Sequence, residues 1–266
     1  MIYERIKLDT GKAELEIYRS CELKNAPAIL VIPGGGYGCV CADREGEPIA
    51  LSYLSRGYNA FVLHYSVGKD APINCPLAEA SAAIAYIRRN AEKLGVDPLK
   101  VYAVGFSAGG HLCGSLGILW HRDEIIAKAG IEYGENRPTA VVLQYPVITA
   151  FGKAHLNSFY NLLGTREPTA EQLEYYSLEK HVDERSAPAF ILHTAADQLV
   201  PVENSLRIAE AYSEAKIPFE LHVYPFGPHG LALANEVTSK ANPAMINRRA
   251  ARWVDDSIAF FEALDK

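Results

Sequence analysis

The sequence lacks a basic excess. Its 26 Lys and Arg face 32 Asp and Glu, a formal net charge of −6. A nucleic-acid-binding face needs clustered positive charge, so that class is excluded. A polybasic membrane anchor is excluded on the same ground. Long apolar runs are also missing. The longest stretches, AILVI at 28–32 and AVVL at 140–143, are far too short to cross a bilayer. Charges interrupt the opening MIYERIKLDTGKAELEIYRS throughout, which leaves no apolar core for a signal peptide. A cytoplasmic protein is expected. Cysteine is scarce and unpaired: Cys21, Cys39, Cys41, Cys75 and Cys113 are odd in number, irregular in spacing and contain no C-x-x-C. This excludes a disulfide framework, a zinc quartet and thioredoxin-type redox chemistry, and leaves free thiols in a reducing compartment. No linker, repeat or low-complexity segment divides the 266 residues, which predicts one domain over 1–266.

What the chain does have is a rhythm of buried strands and amphipathic helices. Ala13, Leu15 and Ile17 alternate with Glu14 and Glu16, a half-buried strand behind a turn at Asp9-Thr10-Gly11. Continuous apolar runs follow at 28–32, 59–65, 100–106, 139–145 and 188–194. Strands apolar on both faces belong inside a covered parallel sheet. The run at 218–225 is more polar and predicts a strand nearer an edge. Helices are expected over 76–93, 203–215 and 247–264, the last carrying Val254, Ile258, Phe261 and Leu264 on one face. Strands alternating with helices give an α/β class with a mostly parallel sheet. Residues 147–186 exceed a plain crossover. They predict a small cap beyond the strand ends, where open α/β sheets bind ligands.

Chemistry concentrates at Gly105-Phe106-Ser107-Ala108-Gly109-Gly110, between a strand and a helix-compatible segment. G-x-S-x-G in that context is a nucleophile elbow. The chain reverses sharply there, and side chains two residues either side of the serine would collide. Ser107 then stands at a helix N-terminus, where the Ala108 N–H can meet an oxyanion. A serine hydroxyl needs a base, and the base needs an orienting acid. Asp197 follows the strand at 188–194, and His229 follows the strand at 218–225. Parallel strands carry all three to one sheet edge, in the chain order Ser…Asp…His. Asp183 is a distant second acid. Among the other histidines, His64 and His193 read as core or supporting groups and His222 as structural. His111 is too close to Ser107 on its own helix. His121, His155 and His181 sit in surface-like segments.

Pro33-Gly34-Gly35-Gly36-Tyr37 follows the first central strand. Such a loop can supply the remaining oxyanion N–H groups. Gly35 and Gly36 are the expected donors opposite Ala108, with Gly34 less favoured. A phosphate loop is ruled out because no G-K-[ST] or G-x-G-x-x-G frame follows. Tyr37, Phe106 and Tyr145 sit at strand ends, either as core aromatics or as pocket walls that would favour a short acyl group or a sugar ring. Glu45 and Glu47 read as a solvated helix start.

These stretches resemble α/β-hydrolases of the bacterial esterase/lipase group, in the small acetyl-esterase and carbohydrate-esterase-like branch. The matching segments are PGGGYG at 33–38, REGEPIA at 44–50, GFSAGGH at 105–111, QYPVI at 144–148, TAADQLVP at 194–201 and HGLALAN at 229–235. The resemblance implies an α/β-hydrolase fold with a sheet of about eight strands, helices on both faces and a cap. It implies Ser107 as nucleophile, Asp197 as acid and His229 as base. It implies hydrolysis of short-chain, acetyl esters of carbohydrate-type or other small molecules, with no cofactor and no metal. An arylformamidase or amidase on the same residues, or a non-catalytic ligand-binding protein on this scaffold, are the competing readings. The expected partner is a small ester substrate, and a homo-oligomer is compatible with the sequence. Pro33 stands where broader lipase patterns have histidine.

Overall fold

A computed structural model describes residues 1–265. Eight strands form one sheet: β1 (Ile2–Lys7), β2 (Glu14–Arg19), β3 (Ala26–Ile32), β4 (Asn59–His64), β5 (Val96–Phe106), β6 (Val141–Gln144), β7 (Ala189–Thr194) and β8 (Phe219–Tyr224). Their spatial order is β1-β2-β4-β3-β5-β6-β7-β8. Strands β3 to β8 run parallel, while the β1–β2 hairpin pairs antiparallel with itself and with β4. This is the α/β-hydrolase fold, and the polar strand β8 closes one edge.

The helices used below are α1 (Glu47–Leu54), α2 (Pro76–Arg89), α3 (Ala108–Ile118), α4 (Leu156–Leu163), α5 (Ala170–Tyr175), α6 (Glu203–Glu214) and α7 (Trp253–Leu264). The continuous apolar runs are explained by period-two alternation into two cores. Leu30, Ile32, Ala103, Leu143 and Ile191 pack with Ile84, Leu116 and Tyr212 of α2, α3 and α6. Their neighbours Ile29, Val31, Val104, Val142 and Phe190 pack on the opposite face with Ile49, Tyr53, Trp253 and Phe261 of α1 and α7.

Two helix boundaries differ from the periodicity. The helix expected over 76–93 stops at Arg89, because Asn90 leaves helical geometry and its side chain bonds back to Tyr86 O at 2.9 Å. The helix expected from 247 begins at Trp253. Asn247 Oδ1 accepts from the Arg249 and Ala250 N–H groups at 3.2 and 3.1 Å, an alternative to helical pairing that ends in a 3₁₀ turn. Residues 147–186 hold α4 and α5, the latter opened by a Thr169–Gln172 capping box. Among the described residues no helix is long and apolar enough to cross a membrane.

Candidate active site

Ser107 joins β5 to α3 with φ +55° and ψ −118°, a conformation L-residues rarely adopt. The glycines beside it permit this. A Cβ on Gly105 would lie 2.1 Å from Gly109 O, and one on Gly109 would lie 2.3 Å from the carbonyls of Ile32 and Pro33. The turn is pinned to β6 and its exit: Ser107 N–H donates to Gln144 O, and Val147 N–H donates to Ser107 O, both at 3.0 Å.

The ends of β5, β7 and β8 bring three distant side chains together. Ser107 Oγ–H donates to His229 Nε2 at 2.8 Å, and His229 Nδ1–H donates to Asp197 Oδ2 at 2.7 Å. A carboxylate only accepts, so the Asp197 contact sets this tautomer and leaves Nε2 as the acceptor. Asp197 is itself fixed. Its Oδ1 accepts from the Leu199 and Val200 N–H groups at 2.9 and 3.0 Å, and His193 Nε2 lies 3.3 Å from its Oδ2. Burial alone raises the Asp197 pKa. Hydrogen bonds from His193, His229 and the Val200 amide outweigh it and hold the carboxyl well below the usual range. Asp183 pairs with Arg185, away from this line.

The tri-glycine loop lies against the serine. A Cβ on Gly34 would sit 3.1 Å from Ser107 Cβ. Gly35, Gly36 and Tyr37 have φ of +129°, +62° and +57°. The Gly34 N–H is spent on Glu45 Oε2 at 2.8 Å. The N–H groups of Gly35, Gly36 and Ala108 have no hydrogen-bond partner among the described residues. From the segment 147–186, Asn161 of α4 donates to Gly36 O at 2.8 Å.

Tyr37, Phe106 and Tyr145 are 1%, 0% and 2% exposed, which agrees with the core-aromatic alternative of the two readings. Tyr37 Oη lies 2.8 Å from His111 Nδ1, while His111 Nε2–H donates to Tyr176 O. Burial lowers the His111 pKa to about 4. Phe106 packs between Tyr145 and Trp253. The Tyr145 ring meets His229 edge-on, with centroids 5.0 Å apart.

Two groups read as surface are part of the site's frame. Glu45 is buried, and beyond Gly34 it accepts from Tyr145 Oη–H at 2.9 Å. Glu47 is exposed as expected. His155 is half-buried at the start of α4, bonded to Ser158 Oγ at 2.9 Å. Burial and the nearby His229 lower its pKa. Nothing in the local pattern distinguishes a buried glutamate here, because its partners lie 11 and 100 residues away.

Residues 15–212 match the BD-FAE family. The chain belongs to the BD-FAE family. It is 46% identical over 213 residues to endo-1,4-beta-xylanase B of Butyrivibrio fibrisolvens, covering 78% of this chain and 33% of that protein. It is 28% identical over 228 residues to an acetylxylan esterase of Xylanibacter ruminicola, covering 84% of this chain and 44% of that one. The chain thus spans less than half the length of these two relatives. Among solved structures, an acetyl ester-xyloside bifunctional hydrolase of Caldicellulosiruptor lactoaceticus superposes with a TM-score of 0.81 at 35% identity, over 96% of this chain and 89% of that one.

Proposed function

We propose that this chain is a serine esterase that removes short acyl groups, acetyl above all, from carbohydrate-type or other small esters. The observation that carries the reading is the unbroken hydrogen-bonded line Ser107–His229–Asp197 at a strained elbow, beside loop amides that have no partner among the described residues. Ser107 Oγ attacks the ester carbonyl carbon as His229 Nε2 takes its proton. Asp197 holds the ring and stabilises the imidazolium. The carbonyl oxygen gains negative charge, which the amides of Gly35, Gly36 and Ala108 receive. Collapse of the intermediate passes the proton to the leaving alcohol and leaves an acyl-serine. Water then repeats the sequence, releasing the acid and restoring Ser107. The acetyl and carbohydrate assignment is supported by the acetylxylan esterase and acetyl ester-xyloside hydrolase relatives.

The test is acetate release from acetylated xylo-oligosaccharides, run beside p-nitrophenyl acetate and an N-formyl arylamine. Turnover of the acetyl substrates is expected. Turnover of the formamide alone would replace this reading with an arylformamidase. Turnover of none, with ligand binding intact, would leave a binding protein on a hydrolase scaffold.

A further inference from the structure

The turn Ala42–Glu45 touches both loops that flank the serine. Glu45 is only 2% exposed. Its Oε2 accepts the Gly34 N–H at 2.8 Å, and the same oxygen would lie 2.8 Å from a Cβ on Gly34. Its Oε1 accepts Tyr145 Oη–H at 2.9 Å. Tyr145 Oη in turn accepts the Ala232 N–H at 3.0 Å, three residues past His229, and the Tyr145 ring packs on that imidazole. Arg44 completes the turn's contacts. Its Nη2 lies 3.5 Å from Glu45 Oε1 and 3.0 Å from where a Cβ on Gly230 would be.

We infer that Glu45 is a positioning residue, which through Gly34 and Tyr145 fixes the tri-glycine loop and the His229 loop relative to each other across Ser107. The inference rests on the proposed roles of Ser107 and His229. Its physical basis is that both carboxylate oxygens are engaged, each by a donor from a different loop or strand end. With the Gly34 amide held by Glu45, the backbone beyond it turns through the positive φ angles of Gly35 and Gly36. With Tyr145 Oη held, the Ala232 amide keeps its acceptor and the segment after His229 keeps its path. Neither link touches substrate, so the carboxylate acts through geometry alone.

Glu45→Gln is nearly isosteric but has one acceptor oxygen where two are needed, so one link breaks. Tyr145→Phe removes the hydroxyl that joins Glu45 to Ala232, leaves the Gly34 link intact and keeps the ring on His229. For p-nitrophenyl acetate, kcat of Glu45→Gln is expected to fall about a hundredfold, the cost of roughly an ångström of misplacement, with KM unchanged within about threefold. Tyr145→Phe is expected to lose about tenfold in kcat, again at constant KM. Because the links act in series, the double variant should lose little more than Glu45→Gln alone, whereas independent effects would multiply to about a thousandfold.

Multiplying effects would overturn the inference, as would a folded Glu45→Gln with kcat within about threefold of wild type. A kcat loss matched by the fraction of unfolded protein in a thermal melt would equally reduce Glu45 to a structural role. If Glu45→Gln does not fold, Tyr145→Phe decides: reduced kcat at constant KM supports the inference, and wild-type kcat ends it. Wild-type protein inactive on the ester, or Ser107→Ala retaining activity, would instead defeat the esterase reading itself.

Discussion

At the residue scale, the glycines shape the elbow and the serine hydroxyl does not. Gly105 and Gly109 leave no room for a Cβ, whereas Ser107 Oγ, among the described residues, bonds only His229. Ser107→Ala is therefore expected to keep the wild-type melting temperature and lose about a million-fold in kcat. Residual turnover above about a hundredth of wild type would remove Ser107 from the nucleophile role. Asp197→Asn tests the tautomer. An amide nitrogen facing His229 Nδ1 makes that atom an acceptor and moves the ring proton to Nε2, which can then no longer take the serine proton. The expected loss is about ten-thousandfold in kcat, measured with active-site titration to count folded enzyme. Gly109→Ala should yield little folded protein, since its methyl would meet two carbonyl oxygens at 2.3 Å.

At the element scale, the segment 147–186 packs large side chains inward. Phe159 and Leu162 of α4 are buried, Phe159 against His111, while Asn161 is tied to the tri-glycine loop. These apolar groups are committed to the interior and are not available to line an acyl channel. Each methylene that found an apolar channel would contribute up to about 0.8 kcal/mol. Here that gain is forgone, so kcat/KM for p-nitrophenyl octanoate is expected about tenfold or more below acetate, a difference of roughly 1.4 kcal/mol. A steady rise from acetate through butyrate to octanoate would move the substrate class to long-chain lipids. The prediction of a cap at 147–186 came from length alone. The placement of His155 near His229 was not visible in the sequence, because a histidine in a polar stretch carries no mark of what folds over it.

At the scale of the whole molecule, the buried His111 ties stability to pH. Its folded pKa of about 4 lies below the ordinary imidazole value, so the unfolded chain takes up a proton first as pH falls. The neutral ring's contribution is complete above about pH 6.5 and is lost progressively down to about pH 4, for a total near 3 kcal/mol. Denaturant unfolding of wild type between pH 7.5 and 4.5 should show that decline, and His111→Phe should flatten it. An equal slope in the variant would assign the pH dependence to other groups. The parallel sheet itself was legible. The central strands β3 to β7 alternate between two cores, and runs apolar on both faces satisfy that arrangement.

The sequence by itself determined the strand–helix alternation, the edge position of β8, the elbow at Ser107 and the chain order of Ser107, Asp197 and His229. Each is a local or directional property: a period, a glycine where a side chain cannot fit, or a loop at the same end of a parallel strand. Tertiary structure decided the rest, because burial is not a local property. It placed Phe106 in the core, turned Tyr37 onto His111, and drew Glu45 inward to accept from a glycine amide and a tyrosine. A glutamate beside Asp43 and Arg44 has the composition of a surface turn. Only the convergence of the segments after β3 and β6 brings the donors Gly34 N–H and Tyr145 Oη–H that let its carboxylate leave water.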